Sequence, residues 1–275
     1  METQSSFAAR LKWWRERRGL SQLDLAHAAD VSQRHVSFIE VGRTAPSREM
    51  VLKLAAALDL SLRQQNTLLL AAGFAPIWRE SALSAPELVA VNQALDFMLA
   101  QQEPYAAFVV DRRWNMLRAN NGGQNLVAFL TDTQPQAPDP SQPINLADAL
   151  LAPDALRPLI ANWREVALHF LRGVRADALA DGTEETAALL ERLLAYADVP
   201  RISDIPAIDD APEPVLSIHF RKGGTELKVF TTLATLGTPQ DVTVQEIRIE
   251  CFFPADEATA NVFKAWVERG QGAHP

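Results

Sequence analysis

The sequence predicts an all-helical head of five short helices, followed by an α+β body whose five strands form one antiparallel sheet. Three observations predict it. Through the first 70 or so residues, apolar side chains recur at helical spacing, and serines stand where runs begin. Short runs with strand character occur at residues 106–119 and again at 216–253. Between them lie two longer helical patterns.

The first helix is expected over residues 6–18, with Phe7, Leu11 and Trp14 on one face and Gly19 as its stop. Residues 21–42, SQLDLAHAADVSQRHVSFIEVG, read as two helices with a tight turn between them. Ser21 and Ser32 are good N-caps, because a hydroxyl accepts a hydrogen bond from the free amides of the first turn. Leu25, Ala26 and Ala29 line one helix, Val36 and Ile39 the other, and small Ala29 permits a close crossing. Ser47 caps a fourth helix carrying Val51, Leu54, Ala55 and Leu58. Ser61 caps a fifth, which carries Leu62, Leu69 and Ala72 and stops at Gly73 and Pro76.

Residues 73–86 read as an interdomain joint, followed by a helix over 86–102. Two short strands, 106–111 and 114–119, flank the turn Arg112-Arg113. A helix at 120–130 and a Pro-rich loop at 131–143 follow. Long helices are expected at 153–180 and 184–196, then a loop at 200–214. Strands at 216–220, 226–236 and 246–253 precede a last helix at 255–269. The expected body is a sheet with a helical layer on one face. The domain boundaries read as 1–75 for the head, 76–103 for the linker and connecting helix, and 104–272 for the body.

Composition narrows the function classes. The 275 residues are 48% hydrophobic and 22% charged, as in ordinary globular material. No apolar run approaches the roughly 18 residues that would span a bilayer, and no signal pattern opens the chain. The single cysteine, Cys251, rules out an internal disulfide, fits a cytoplasmic protein and, with five scattered histidines, argues against a Cys-rich zinc site. Residues 1–65 hold ten Lys/Arg against seven Asp/Glu, a balance of +3. The rest holds 16 against 27, a balance of −11, and the two give the −8 of the whole chain. A mildly basic head on an acidic body suits a nucleic-acid-binding head attached to something that binds no nucleic acid. The helix pair at 21–42 has the pattern of a helix-turn-helix, whose second helix enters a DNA major groove.

The residues carry a family resemblance. The first 75 or so resemble the Cro/repressor (XRE) helix-turn-helix family, a lambda-repressor-like fold. From about Pro104 to Thr259 the chain is similar to the MmyB-like ligand-binding domain found behind such heads. That likeness rests on DRRWNMLRANN (111–121), LRPLIANWREVALHFL (156–171) and FTTLATLGTPQDVTVQEIRIECFFPADEAT (230–259). The resemblance implies a transcription regulator whose PAS-like body has an apolar cavity between sheet and helices. In that cavity it would hold a fatty acid or another lipophilic molecule; no other cofactor is implied.

By the same resemblance, Gln22 holds a backbone phosphate and supports Gln33, which reads a base. A glutamine amide can bind adenine bidentately. Arg34, His35 and Ser37 share the exposed side of the reading helix with Ser32 at its cap, and Arg34 could read guanine or grip phosphate. Arg43, and the helix start at Ser47 with its free amides, are phosphate candidates. Arg15 and Glu40 are expected as an internal ion pair, Trp14 in the core and Trp13 outside it. One such head buries too little surface for tight binding, so a homodimer on a near-palindromic operator is expected, with half-sites roughly 34 Å apart.

For the body, a ligand site needs a few polar groups on an apolar wall. The candidates are Phe108, Trp114, Asn120, Trp163, His169, Phe170, Phe230 and Arg248. The aromatic members serve equally as core. His169 could be a satisfied core histidine, Asn120 a helix cap, and Arg248 a partner of Glu226. Two other readings stay open: a body that only dimerises or binds a protein partner, and an enzyme. No phosphate loop, G-x-S-x-G elbow or HExxH pattern supports catalysis. A haem-bearing body through His169 or His219 stays open, but a lone histidine is weak evidence for it.

Overall fold

The structure, a computed structural model, describes residues 6–139, 142–201 and 215–271. The chain divides into two compact units, residues 1–82 with 238–245, and residues 83–237 with 246–275.

The first unit holds α1 (Phe7–Arg17), α2 (Gln22–Ala28), α3 (Gln33–Glu40), α4 (Arg48–Ala57) and α5 (Leu62–Ala71). Each of the five starts at a serine whose hydroxyl accepts an amide of the first turn: Ser6, Ser21, Ser32, Ser47 and Ser61. Asp24 and Gln64 return the bond to the cap amide, completing capping boxes at α2 and α5. Gly42 ends α3 with a φ of +72°, a conformation that a Cβ disfavours. Leu11, Leu25, Val36, Ile39, Val51, Leu54 and Leu69 are fully enclosed and form the centre of the core. Trp14 belongs to that core, and Trp13 packs on its outside.

Residues 238–245, which the sequence places in the body, pack as part of this first unit. The short α11 (Val242–Glu246) begins there. The Val242 amide donates to the Arg79 carbonyl (2.8 Å), and the Leu62 amide, at the first turn of α5, donates to Gln245 Oε1 (2.7 Å). Buried Asp241 accepts from the Ser81 amide (3.1 Å).

The second unit contains one five-stranded sheet, built from β1 (Ala107–Val110), β2 (Met116–Ala119), β3 (Ile218–Lys222), β4 (Thr225–Ala234) and β5 (Arg248–Pro254). The order is β2-β1-β5-β4-β3, with every neighbouring pair antiparallel. Around it lie α6 (Val89–Gln101), α7 (Asn121–Thr131), α8 (Leu146–Leu151), α9 (Trp163–Asp181), α10 (Glu184–Leu194) and α12 (Glu257–Gln271).

Helices cover both faces of the sheet, not one. On the main face, Phe108, Val110, Phe220, Leu227, Val229 and Phe252 pack with side chains of α7, α9, α10 and α12. On the other, Ala107, Val109, Ile247 and Ile249 pack with Leu95 and Leu99 of α6. The physical reason shows in β1, whose four residues AFVV are all buried. A strand enclosed on both sides has no polar alternation to preserve.

The helix expected over 153–180 is broken. Residues 157–159 form a 3-10 turn containing Pro158, and α9 starts only at Trp163. Proline lacks the amide a continuing helix would use. Asn162 is spent on the sheet, donating to the Ser217 carbonyl (2.7 Å) and accepting from the His219 amide (3.0 Å). Beyond the expected elements are α8, capped by Asn145, and α11. Strand β5 begins at Arg248, two residues later than expected. Of the loop expected at 200–214, residues 202–214 lie outside the described residues.

Candidate functional site

In the first unit, α2 and α3 make the helix pair that the sequence predicts, with Leu25, Ala26, Val36 and Ile39 turned into the core. Ser32, Gln33 and Arg34 are left exposed at the start of α3, with His35 and Ser37 half-buried beside them. The Ser32 hydroxyl oxygen accepts the His35 amide (3.2 Å), and that of Ser47 accepts the Met50 amide (3.2 Å). Each hydroxyl hydrogen is still able to donate to an anion.

Phe38, which sequence reasoning missed, organises this surface. The Arg34 guanidinium lies 5.1 Å from its ring centre and that of Arg43 5.8 Å. Both distances suit a cation over an aromatic face. The signal was available: Arg34 and Phe38 stand one helical turn apart.

Behind the pair, Arg15 and Glu40 form the expected internal ion pair. The Arg15 guanidinium makes two parallel bonds to the Glu40 carboxylate (2.6 and 3.0 Å) and a third to the Leu20 carbonyl (2.7 Å). The side chain of Glu40 is 2% exposed and that of Arg15 9%. The hydrogen bond to Glu40 raises the Arg15 pKa further above its ordinary value. Gln22 joins this network. Its amide donates to Glu40 Oε2 (2.8 Å), tying α2 to the end of α3. The amide nitrogen carries two hydrogens, and this bond uses one of them.

In the second unit, four of the eight sequence candidates gather on the main face of the sheet. The rings of Trp114 and Phe170 meet edge to face at 4.7 Å, and Phe108 meets Phe252 at 5.5 Å. The Arg248 guanidinium lies 5.8 Å from the Trp114 ring, and its Nη1 donates to Asp177 Oδ2 on α9. The Arg248 partner is thus Asp177, while Glu226 pairs with Arg221 instead. Trp114 adopts a φ of +66°, unusual for a bulky residue. Asp111 holds that turn by accepting the Arg113 and Asn115 amides (2.8 and 2.9 Å).

The other four candidates stand apart. Trp163 packs at the edge of the same core, donates to the Leu150 carbonyl and is covered by Arg157 at 3.7 Å. Asn120 is fully used by the fold. Its oxygen accepts the Ala107 and Gly123 amides, and its nitrogen donates to the Leu99 and Tyr105 carbonyls. His169 is exposed. Phe230 stacks on Phe253 (5.4 Å, 15°), on the face of β4 opposite Val229 and Thr231.

The residue that sequence reasoning left out is Glu250. It lies between Arg248 and Phe252 along β5, opposite Phe108 on β1 and Leu233 on β4. Burial pushes its carboxyl up to about 7, opposed by one hydrogen bond from Thr231. Its signal was the alternation of β5 itself, where Arg248, Glu250 and Phe252 share a face. That face is the one turned to the main core.

Two cavities have been located in this unit. One, of about 310 Å³, is lined by Met116, Gln124, Val127, Gln134, Gln142 and Ile144, between β2, α7 and the Pro-rich loop. The second, of about 410 Å³, lies against Phe129, Val262 and Trp266. Neither is lined by Trp114, Phe170, Arg248 or Glu250. Among the described residues no group of three or more metal-ligating side chains is assembled, and no helix is long and apolar enough to cross a membrane.

A helix-turn-helix head joined to a body of this architecture defines a DNA-binding transcription regulator with a ligand-binding domain. Residues 11–65 match the helix-turn-helix family model, and residues 91–265 match that of the MmyB-like transcription regulator ligand binding domain. The second match spans more than half of the chain, and the chain belongs to that family. No curated protein matches it. Among solved structures, "Structure of an RNA-binding Light-Oxygen-Voltage Receptor" aligns at 12% identity with a TM-score of 0.26, over 96% of this chain and 63% of that one.

Proposed function

We propose that the protein is a cytoplasmic regulator that binds a near-palindromic operator as a homodimer, and that a small lipophilic ligand in its C-terminal domain alters that binding. The observation that carries the first half is the exposed Gln33 and Arg34 at the start of α3, backed by Phe38. Gln33 reads adenine through its amide, and Arg34 reads guanine or holds phosphate. Arg43 and the amino end of α4 at Ser47 hold the backbone, which sets register without carrying sequence. In this reading the head is the first unit, which ends near residue 82, and the body is the second.

The second half is supported by the family and by the aromatic wall of Trp114, Phe108 and Phe170. A fatty acid supplies the apolar body such a wall accepts. Such a ligand shifts DNA affinity only by its differential affinity for the two arrangements of the dimer. The test is native mass spectrometry of protein purified from cells, followed by operator titrations with and without the retained molecule. A retained hydrophobic molecule whose removal changes operator affinity supports the reading. A protein that arrives empty, and whose operator affinity ignores added acyl compounds, has a body that only dimerises or binds a protein partner.

A further inference from the structure

The second face of the sheet is covered only in part. Leu95 and Leu99 seat α6 over β1 and β5. Farther toward β4 on that face, the stacked rings of Phe230 and Phe253 stay half-buried. The outer side of α6 is itself free of charge. Ala90, Ala94, Phe97 and Gln101 recur at helical spacing and form one exposed row. Phe97 at its centre is 64% exposed. Asp96 is the only charged residue of the helix, and Arg118 of β2 pairs with it (2.6 Å). A helix on a protein surface normally turns charged side chains to solvent, and one that is apolar all round is covered.

We propose that this row is the surface through which two copies of the chain pair, α6 against α6 in antiparallel order. Residues 66–275 hold 16 basic against 27 acidic side chains, so two bodies repel unless they meet where charge is absent. The row is such a place. It carries no cation, which a nucleic acid or an anionic membrane would require. Its order of sizes is self-complementary. A twofold axis between Ala94 and Phe97 sets Phe97 of one protomer on Ala94 of its partner, and Gln101 on Ala90, large on small each time. Area sets the strength. The 13 residues of α6 make a helix about 20 Å long and about 10 Å wide, an outline of about 200 Å². The ring pair beside it at most doubles that, which is short of the about 800 Å² that each partner of a standard stable interface buries. The contact therefore makes a weak dimer, and an operator that binds two heads at once completes it. The proposal rests on the homodimer reading and names the surface that joins the two copies.

The test is sedimentation velocity of the full-length protein over a concentration series, alone and with an operator duplex obtained by selection. The native chain is expected to pass from monomer to dimer as concentration rises, and to occupy the duplex as two copies. Phe97→Asp and Ala94→Lys, both at exposed positions, are each expected to weaken self-association about tenfold or more, because each presses an unpaired charge against an apolar partner. The double variant is expected to recover most of that loss, since the two introduced charges then meet across the axis, and added salt is expected to remove the recovery. Should Phe97→Asp fail to fold, Ala94→Lys decides by the same tenfold criterion. A native dimer that the folded single variants leave equally tight overturns this surface and leaves the homodimer standing, as does a double variant no tighter than the singles. A native chain that stays monomeric at every concentration and occupies the operator as one copy overturns both.

Discussion

Replacing Glu40 by alanine would strand the Arg15 guanidinium inside the head. In the native chain the Glu40 carboxylate accepts two bonds from Arg15 and one from Gln22, and its side chain is 2% exposed. Breaking a buried pair by removing one partner costs about 3–5 kcal/mol, because the other charge stays behind unpaired. A domain of this size loses about 4–8 °C of Tm for each kcal/mol, so the head of Glu40→Ala is expected to melt about 12–40 °C below the native one. The assay is hydrogen exchange of the α1–α5 amides across a urea series, which reads the head separately from the body. Operator binding falls with the folded fraction. Replacing the pair together, as Arg15→Met with Glu40→Leu, should recover most of the loss, since an apolar pair of similar volume leaves nothing unsatisfied. A loss below about 1 kcal/mol in Glu40→Ala, the size of an exposed surface pair, would refute the enclosed network.

Three further outcomes follow from the same geometry. Asn120→Ala strands the Ala107 and Gly123 amides and the Tyr105 carbonyl, and should destabilise the second unit by about 3 kcal/mol or more in chemical denaturation. Glu250 is raised from an ordinary 4.5 to about 7, so between those pH values the fold retains a proton that the unfolded chain has released. Stability should therefore fall by about 3 kcal/mol as pH rises from 4.5 through 7, and Glu250→Gln should flatten that slope in a Tm series. Phe38→Ala frees Arg34 and Arg43 from their shared ring and should weaken operator binding severalfold in gel shifts without changing the preferred sequence.

Local chemistry made the head legible. Five serines at five helix starts each cap through their own hydroxyl, a signal that needs no tertiary knowledge. The exposed edge of α3 followed from the same reading. What the sequence hid were choices made by packing. The AFVV run does not say which helix covers which side, and the sheet took a second layer from α6. Pro158 was visible, but that it breaks the helix here depends on Asn162 and Ile160 reaching β3. In β5, the two-residue repeat of a strand puts Arg248, Glu250 and Phe252 on one face. Periodicity is silent on whether that face meets water or core, so the buried acid went unnoticed. The affiliation of residues 238–245 with the first unit is likewise a tertiary fact, carried by Asp241 and Gln245.

The central claim is that α3 is the element that reads bases. Random-oligonucleotide selection with the native protein and with the double variant Gln33→Ala, Arg34→Ala measures it directly. The native chain is expected to enrich a two-part site with half-sites about one helical turn apart. The folded variant is expected to keep salt-dependent binding to any duplex and to enrich no sequence. Enrichment of the native operator by the double variant would contradict the account.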